Sequence, residues 1–167
     1  MNAAETECLN QDDIRLFHKG ACHIFASALK QAFPCESYSL KRVVLLREFD
    51  SKEAYHVLAE RDDFVVDASG IKRTSDYVAW LKAWHVEKSF GSTIPPEVKL
   101  HETSEVDLFT HYHDDPHLGS VNQWGLFSDG AFVTAARVRA QTLIKHWPEK
   151  YQVSILQGGL LFQRNDG

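Results

Sequence analysis

Gly20-Ala21-Cys22-His23-Ile24-Phe25-Ala26-Ser27-Ala28-Leu29-Lys30-Gln31-Ala32-Phe33-Pro34 is the stretch on which the reading of the fold turns. Cys22, Phe25, Ala26, Leu29, Ala32 and Phe33 recur at i, i+3, i+4, i+7, i+10 and i+11, an apolar stripe of helical period, and Pro34 stops its propagation. A shorter helix precedes it, capped at Asp12 or Asp13, carrying Ile14, Leu16 and Phe17 and running to Lys19. Gly20 supplies the positive φ that ends this first helix. The chain therefore breaks and restarts just before Cys22, which puts a cysteine in the first turn of a helix expected to be central.

Downstream of Pro34 the pattern changes to short strands. Lys41 to Phe49 holds the β-branched run Val43-Val44-Leu45-Leu46 and reads as a buried strand, with a turn at Asp50-Ser51-Lys52. Tyr55 to Glu60 and Phe64 to Asp67 form a hairpin about Arg61-Asp62-Asp63, closed by Ala68-Ser69-Gly70. Thr74 or Ser75 caps a helix with Tyr77, Leu81 and Trp84 on one face and Trp80 beside them, ending before Gly91 and Pro95-Pro96. Lys99 to Gln123 has no clear period. A long helix is expected from Ser128 or Asp129 to Trp147, stopped by Pro148, and Tyr151 to Arg164 reads as a strand or small hairpin. Helices segregated from an antiparallel sheet predict an α+β class, and the 167 residues a single α+β domain over 1–167.

Composition narrows the function. The chain is 44% hydrophobic with 18 Lys+Arg against 23 Asp+Glu, a net charge of −5. A mildly acidic chain without a basic cluster offers no electrostatic footprint for nucleic acid. No run approaches the ~20 apolar residues of a membrane-crossing helix. The acidic, polar residues 1–7 do not read as a secretory signal, and three cysteines without a CxxC pair fit neither a disulfide framework nor a zinc ribbon. A cytoplasmic protein with free thiols and no cofactor is the expectation.

Cys22 is then the candidate reactive residue. Unpaired N–H groups and the positive end of a helix dipole stabilise a thiolate in the first turn, and the same N–H groups can bind an oxyanion. The hairpin supplies partners. A two-residue loop at Arg61-Asp62, or a four-residue loop about the same point, sets His56 directly opposite Asp67. A loop at Asp62-Asp63 leaves them diagonal on one face, and only an odd-length loop separates them. A carboxylate beside an imidazole fixes its tautomer and favours its protonated form, and such a histidine can take a proton from a thiol and return it to a leaving group. Each residue also has a structural explanation: Cys22 as a small apolar residue of the stripe, His56 as a strand histidine bonded to a carbonyl, Asp67 as the start of an Asx turn.

The order of these segments, Gly20 to Ala26, then Tyr55-His56-Val57-Leu58-Ala59, then Phe64-Val65-Val66-Asp67-Ala68-Ser69-Gly70, resembles the papain-like superfamily in its transglutaminase-like arrangement. Arylamine N-acetyltransferases share that order. The resemblance spans roughly the first 70 residues and departs at His23 and Leu58, where transglutaminase-like chains carry aromatic residues. It implies Cys22 as nucleophile, His56 as general base and acid, and Asp67 as the residue orienting it. The implied chemistry is an acyl-enzyme route at an amide or ester carbonyl: a thiol protease-like peptidase, an amidase, a deamidase or an acyltransferase acting on a protein, a peptide or a small amide. Gln11, upstream of the nucleophile, is the papain-like choice of oxyanion donor.

Two readings from other classes compete. His111, His113 and His117, within His111-Tyr112-His113-Asp114-Asp115-Pro116-His117, form a candidate metal site, since His111 and His113 share a side of an extended segment. Alternatively the fold is a non-catalytic protein-interaction domain in which Cys22 is core. Trp80, Trp84, Trp124 and Trp147 are expected to pack cores, His18, His85, His101 and His146 to sit at surfaces or helix ends, and Cys35 to lie in a loop.

Overall fold

The computed structural model describes residues 14–18, 20–47, 50–88, 94–111 and 130–157. Helix α1 covers 14–18 and α2 Cys22–Ala32. Gly20, at φ 142°, separates them as the glycine break predicts. A single 3-10 turn, Pro34–Glu36, carries the exposed Cys35 and leads into β1 (Ser39–Arg47). Strands β2 (Asp50–Arg61), β3 (Phe64–Asp67) and β4 (Gly70–Arg73), helix α3 (Thr74–Lys88), strand β5 (Glu97–Thr103) and helices α4 (Glu105–His111), α5 (Gly130–His146) and α6 (Pro148–Tyr151) follow. A last helical stretch, α7, covers 153–157. The five strands form one antiparallel sheet in the order β4-β3-β2-β1-β5, so the class is α+β. Among the described residues no helix is long and apolar enough to cross a membrane.

Helix α2 is central in a stronger sense than its stripe implies. All eight residues from Cys22 to Leu29 are buried, including His23 and Ser27. Phe25 lies between Phe17 and Tyr151, with ring centroids 5.0 and 5.3 Å away, in a core that also takes Leu29, Tyr38, Val66, Ala140 and Ile144. A helix surrounded by α1, α5, α6 and the sheet has no solvent face over its first two turns. It emerges only from Lys30 to Ala32, so Ala32, placed on the stripe by periodicity, is exposed. A second core joins Tyr77 and Leu81 of α3 to Val43, Leu45, Leu58 and Val65 of the sheet.

Several expectations are corrected. Asp50-Ser51-Lys52 is not a turn: all three residues belong to β2, which starts at Asp50, paired with Arg47 of β1. Gly70 begins a strand rather than ending a segment. Asp67 pairs with Gly70 around Ala68-Ser69, and Gly70 sits at φ +115°. A Cβ there would lie 3.2 Å from Lys150 Cγ, so Gly70→Ala is expected to lower stability by about 1–3 kcal/mol, measured by urea unfolding. The unreadable stretch after Lys99 contains the end of edge strand β5, whose Val98 and Leu100 pack on the second core, and α4. His85 lies in the last turn of α3, a helix end as expected, but is buried there, whereas His101 and His146 are exposed.

The C-terminal segment is helical where a strand was expected, and residues 158–164 of that prediction lie outside the described residues. Pro148, read as a stop, also starts α6 at its first turn. The reason for the helical outcome is a side chain: the Tyr38 hydroxyl donates to the Tyr151 carbonyl at 2.5 Å and accepts from the Val153 N–H at 3.2 Å. Those backbone groups are satisfied without a strand partner. Trp147 is partly buried against the first core, as expected, but Trp80 is 47% exposed and lies under the Lys72 ammonium at 5.3 Å.

Candidate active site

The hairpin register sets the first two site residues. Arg61 pairs with Phe64, Glu60 with Val65 and Ala59 with Val66. The loop is therefore Asp62-Asp63, with Asp62 at φ 53°, in the left-handed region that tight hairpin loops demand. One step further sets Asp67 against Leu58, two residues from His56, so His56 and Asp67 are diagonal neighbours on one side of the pleat. This is one of the two even-loop registers allowed by the sequence. On the other flank His56 pairs with Val43, and the register slips between Val43 and Val44, giving β2 an extra residue at position 55. A bulge immediately before a functional side chain bends the strand and re-aims that side chain.

The three predicted residues meet. His56 Nε2 stands 3.4 Å from Asp67 Oδ2, an ion-pair contact longer than a hydrogen bond, and Nε2 has no hydrogen-bond partner. Cys22 lies close enough to His56 and to its own neighbour His23 for both imidazoles to act on its charge. With Nε2 facing Asp67, Nδ1 of His56 is the ring nitrogen left for the thiol. All three side chains are buried: relative exposure is 7% at Cys22 and 6% at both His56 and Asp67.

Electrostatics favour a charge-separated pair. Burial acts to raise the Cys22 thiol, but the His56 charge, then hydrogen bonds from His23 and His56, outweigh it and bring the thiol from 9.0 down to about 5. Burial acts to lower His56, but the Cys22 charge, then Asp67, raise it from 6.5 to about 10. Burial works against the Asp67 carboxylate too, and His18, His56 and Ser69 together hold it well below the usual range. Cys22 opens α2, with Ala21 as its N-cap, no capping side chain and no acidic residue in the first turn. Nothing in that turn competes with a thiolate for the dipole.

The Asx turn read as the structural explanation for Asp67 is present as well. The Ser69 N–H donates to Asp67 Oδ1 at 2.8 Å, the Ser69 hydroxyl donates to the same oxygen, and Lys72 Nζ donates to that hydroxyl at 2.9 Å. The turn that closes the hairpin thus orients the carboxylate. It is clamped in turn by the Tyr151 hydroxyl, which donates to the Ala68 carbonyl at 3.2 Å.

Sequence reasoning missed His18 and His23. His18 was placed at a helix end and is there, with its side chain 36% exposed, yet its Nε2 lies 3.7 Å from Asp67 Oδ2. The signal was its position four residues ahead of Cys22, where a sharp break at Gly20 folds α1 back across the start of α2. His23 was noted only as a departure from an aromatic residue; it is buried beside the thiol. Gln11, His113 and His117, and the side chain of His111, lie outside the described residues. Among the described residues no group of three His, Cys, Asp or Glu side chains is arranged to hold a metal ion. The chain matches no protein-family model, no curated protein and no solved structure, so the geometry of Cys22, His56 and Asp67 is what the functional reading rests on.

Proposed function

We propose that the chain is a cysteine hydrolase or acyl transferase with a papain-like, transglutaminase-like core, acting on an amide or ester carbonyl of a protein, peptide or small amide. The observation that carries it is a cysteine at a helix N-terminus in contact with a buried histidine whose far nitrogen faces a buried carboxylate. In this reading the Cys22 thiolate attacks the carbonyl carbon, and negative charge moves to the carbonyl oxygen beside the Cys22 backbone N–H. Protonated His56 gives its proton to the departing amine or alkoxide as the C–N or C–O bond breaks. The resulting thioester is opened by water, or by an acceptor amine, whose proton goes to His56 as the C–S bond breaks. Asp67 keeps the imidazole in the required tautomer throughout. This chemistry needs a reduced thiol, which suits a cytoplasmic setting.

The low exposure of all three residues favours one competing reading, a scaffold that keeps the fold without turnover. Intact-mass and peptide mass spectrometry after incubation with p-nitrophenyl acetate separates the two. The expected result is one acetyl group on Cys22 in the wild type and none at that position in Cys22→Ala or, at pH 6, in His56→Ala. Absence of acetyl-Cys22 in the wild type, with Cys35 labelled, would refute the enzyme.

A further inference from the structure

The Asp67 carboxylate faces two imidazoles, and the reaction above uses only one. Its Oδ1 is taken by the N–H and hydroxyl of Ser69. Oδ2 is left to face His56 Nε2 at 3.4 Å and His18 Nε2 at 3.7 Å. The two rings meet edge to face, centroids 5.5 Å apart with planes at 62°. The side chain of His18 is 36% exposed and that of His56 7%, so one of the two imidazoles on the carboxylate reaches solvent. The remaining charges about this group are Lys150 of α6, close to Asp67, Lys72 of β4, acting through the Ser69 hydroxyl, and Cys22 with its neighbour His23 on the other side of His56.

The two halves of an acyl-transfer cycle place opposite demands on His56. Before acylation it must hold a proton for the leaving group, and the adjacent thiolate helps it do so. After acylation the thiolate charge is gone, and His56 must be neutral to accept a proton from water or an acceptor amine. Asp67 alone would still favour the protonated ring. A second imidazole on the same oxygen diverts part of that carboxylate's charge and, when itself protonated, repels a positive His56. Imidazole is the side chain whose charge changes between about pH 5 and 8, where such sharing has an effect.

We propose that His18 is a positioning residue for the second half-reaction: by sharing Asp67 Oδ2 with His56, it loosens the proton on His56 once Cys22 carries the acyl group. This role rests on the cysteine chemistry proposed above. In deacylation the proton of the attacking water passes to His56 Nδ1, the C–S bond breaks, the acid is released, and the Cys22 sulfur leaves with the bonding pair. His18 takes no part in bond making.

The test uses Cys22→Ala, which removes the thiolate charge as acylation does, with and without His18→Gln, which keeps a polar N–H group on the Asp67 side but cannot become charged. Titration of His56 by NMR of 13C-labelled histidine is expected to give a midpoint about half to one unit higher in the double variant. In His18→Gln with Cys22 intact, the steady-state release of acetate from p-nitrophenyl acetate is expected to fall about 3–10-fold at pH 6 and to recover by pH 8, while the initial burst persists. A His56 midpoint that does not rise in the double variant, while the wild type still shows the burst, overturns the role of His18 and leaves the cysteine chemistry standing. No burst in the wild type overturns both. A residue that only packs α1 against the sheet would lower stability or slow both phases without moving the midpoint, and His18→Ala compared with His18→Gln reads that contribution.

Discussion

Glu36→Ala is expected to lower stability by about 3–5 kcal/mol, measured by urea unfolding at pH 7, although the residue lies outside the proposed site. Glu36 is 3% exposed at the end of the 3-10 turn after α2. Its carboxylate accepts from Arg61 Nη1, from the Ser154 hydroxyl and, at 3.2 Å, from the Ser154 N–H. Alanine would leave a backbone N–H and a half-buried guanidinium without their acceptor, and that loss outweighs the removal of the charge itself. Lys41 and Glu60 provide the contrast: they meet at 3.2 Å on a partly exposed stretch of the β1–β2 pair, where breaking an ion pair costs under about 1 kcal/mol.

Burial acts to raise the Glu36 carboxyl, but the Ser154 hydroxyl, the Ser154 N–H and Arg61 bring it below 4.5. A depressed carboxyl stabilises the folded state above its unfolded value and loses that contribution as pH falls through the folded value. The stability gap between wild type and Glu36→Gln is therefore expected to narrow below about pH 4. A gap of constant size from pH 7 to pH 3 would contradict the ionic account. Since Arg61 ends the strand that carries His56 and Ser154 belongs to α7, this carboxylate ties the C-terminal helices to the site-bearing hairpin.

The parts of the site that could be read from the sequence are those whose geometry is local. Cys22 was placed by a glycine break and a helical stripe, and the His56–Asp67 relation followed from the parity of a short loop. The loop itself, Asp62-Asp63 rather than Arg61-Asp62, was open, because both are polar pairs and the choice depends on which one takes φ 53° without distorting the ladder. His18 and His23 were not legible as site residues. Their roles depend on how α1 folds back on α2 and on the depth to which α2 is buried, and neither leaves a periodic trace. The same limit applies to β4, four residues with Ile71 as their only apolar side chain, and to the C-terminal segment, where Tyr38, more than a hundred residues away in sequence, satisfies backbone groups that the local pattern would have assigned to a strand.

The second large effect concerns the thiol. His56 is the largest influence drawing the Cys22 thiol down to about 5, against burial. Without it, the midpoint for thiolate formation is expected to rise by at least about 2 units, toward the ordinary cysteine value near 8.5. A more basic thiolate is also the better nucleophile, so the two rate profiles should cross, and the rate at a single pH is a poor readout. The midpoint is the decisive quantity.

The most direct measurement is the pH profile of iodoacetamide alkylation at Cys22, followed by peptide mass spectrometry from pH 4 to 10 in wild type and His56→Ala, with Cys35 as reference in the same digests. A thiolate–imidazolium pair at the start of α2 predicts a Cys22 midpoint near 5 in the wild type, displaced upward by 2 units or more in His56→Ala, with the Cys35 profile the same in both proteins. A Cys22 that stays unreactive throughout, or titrates at the same pH with and without His56, would contradict it.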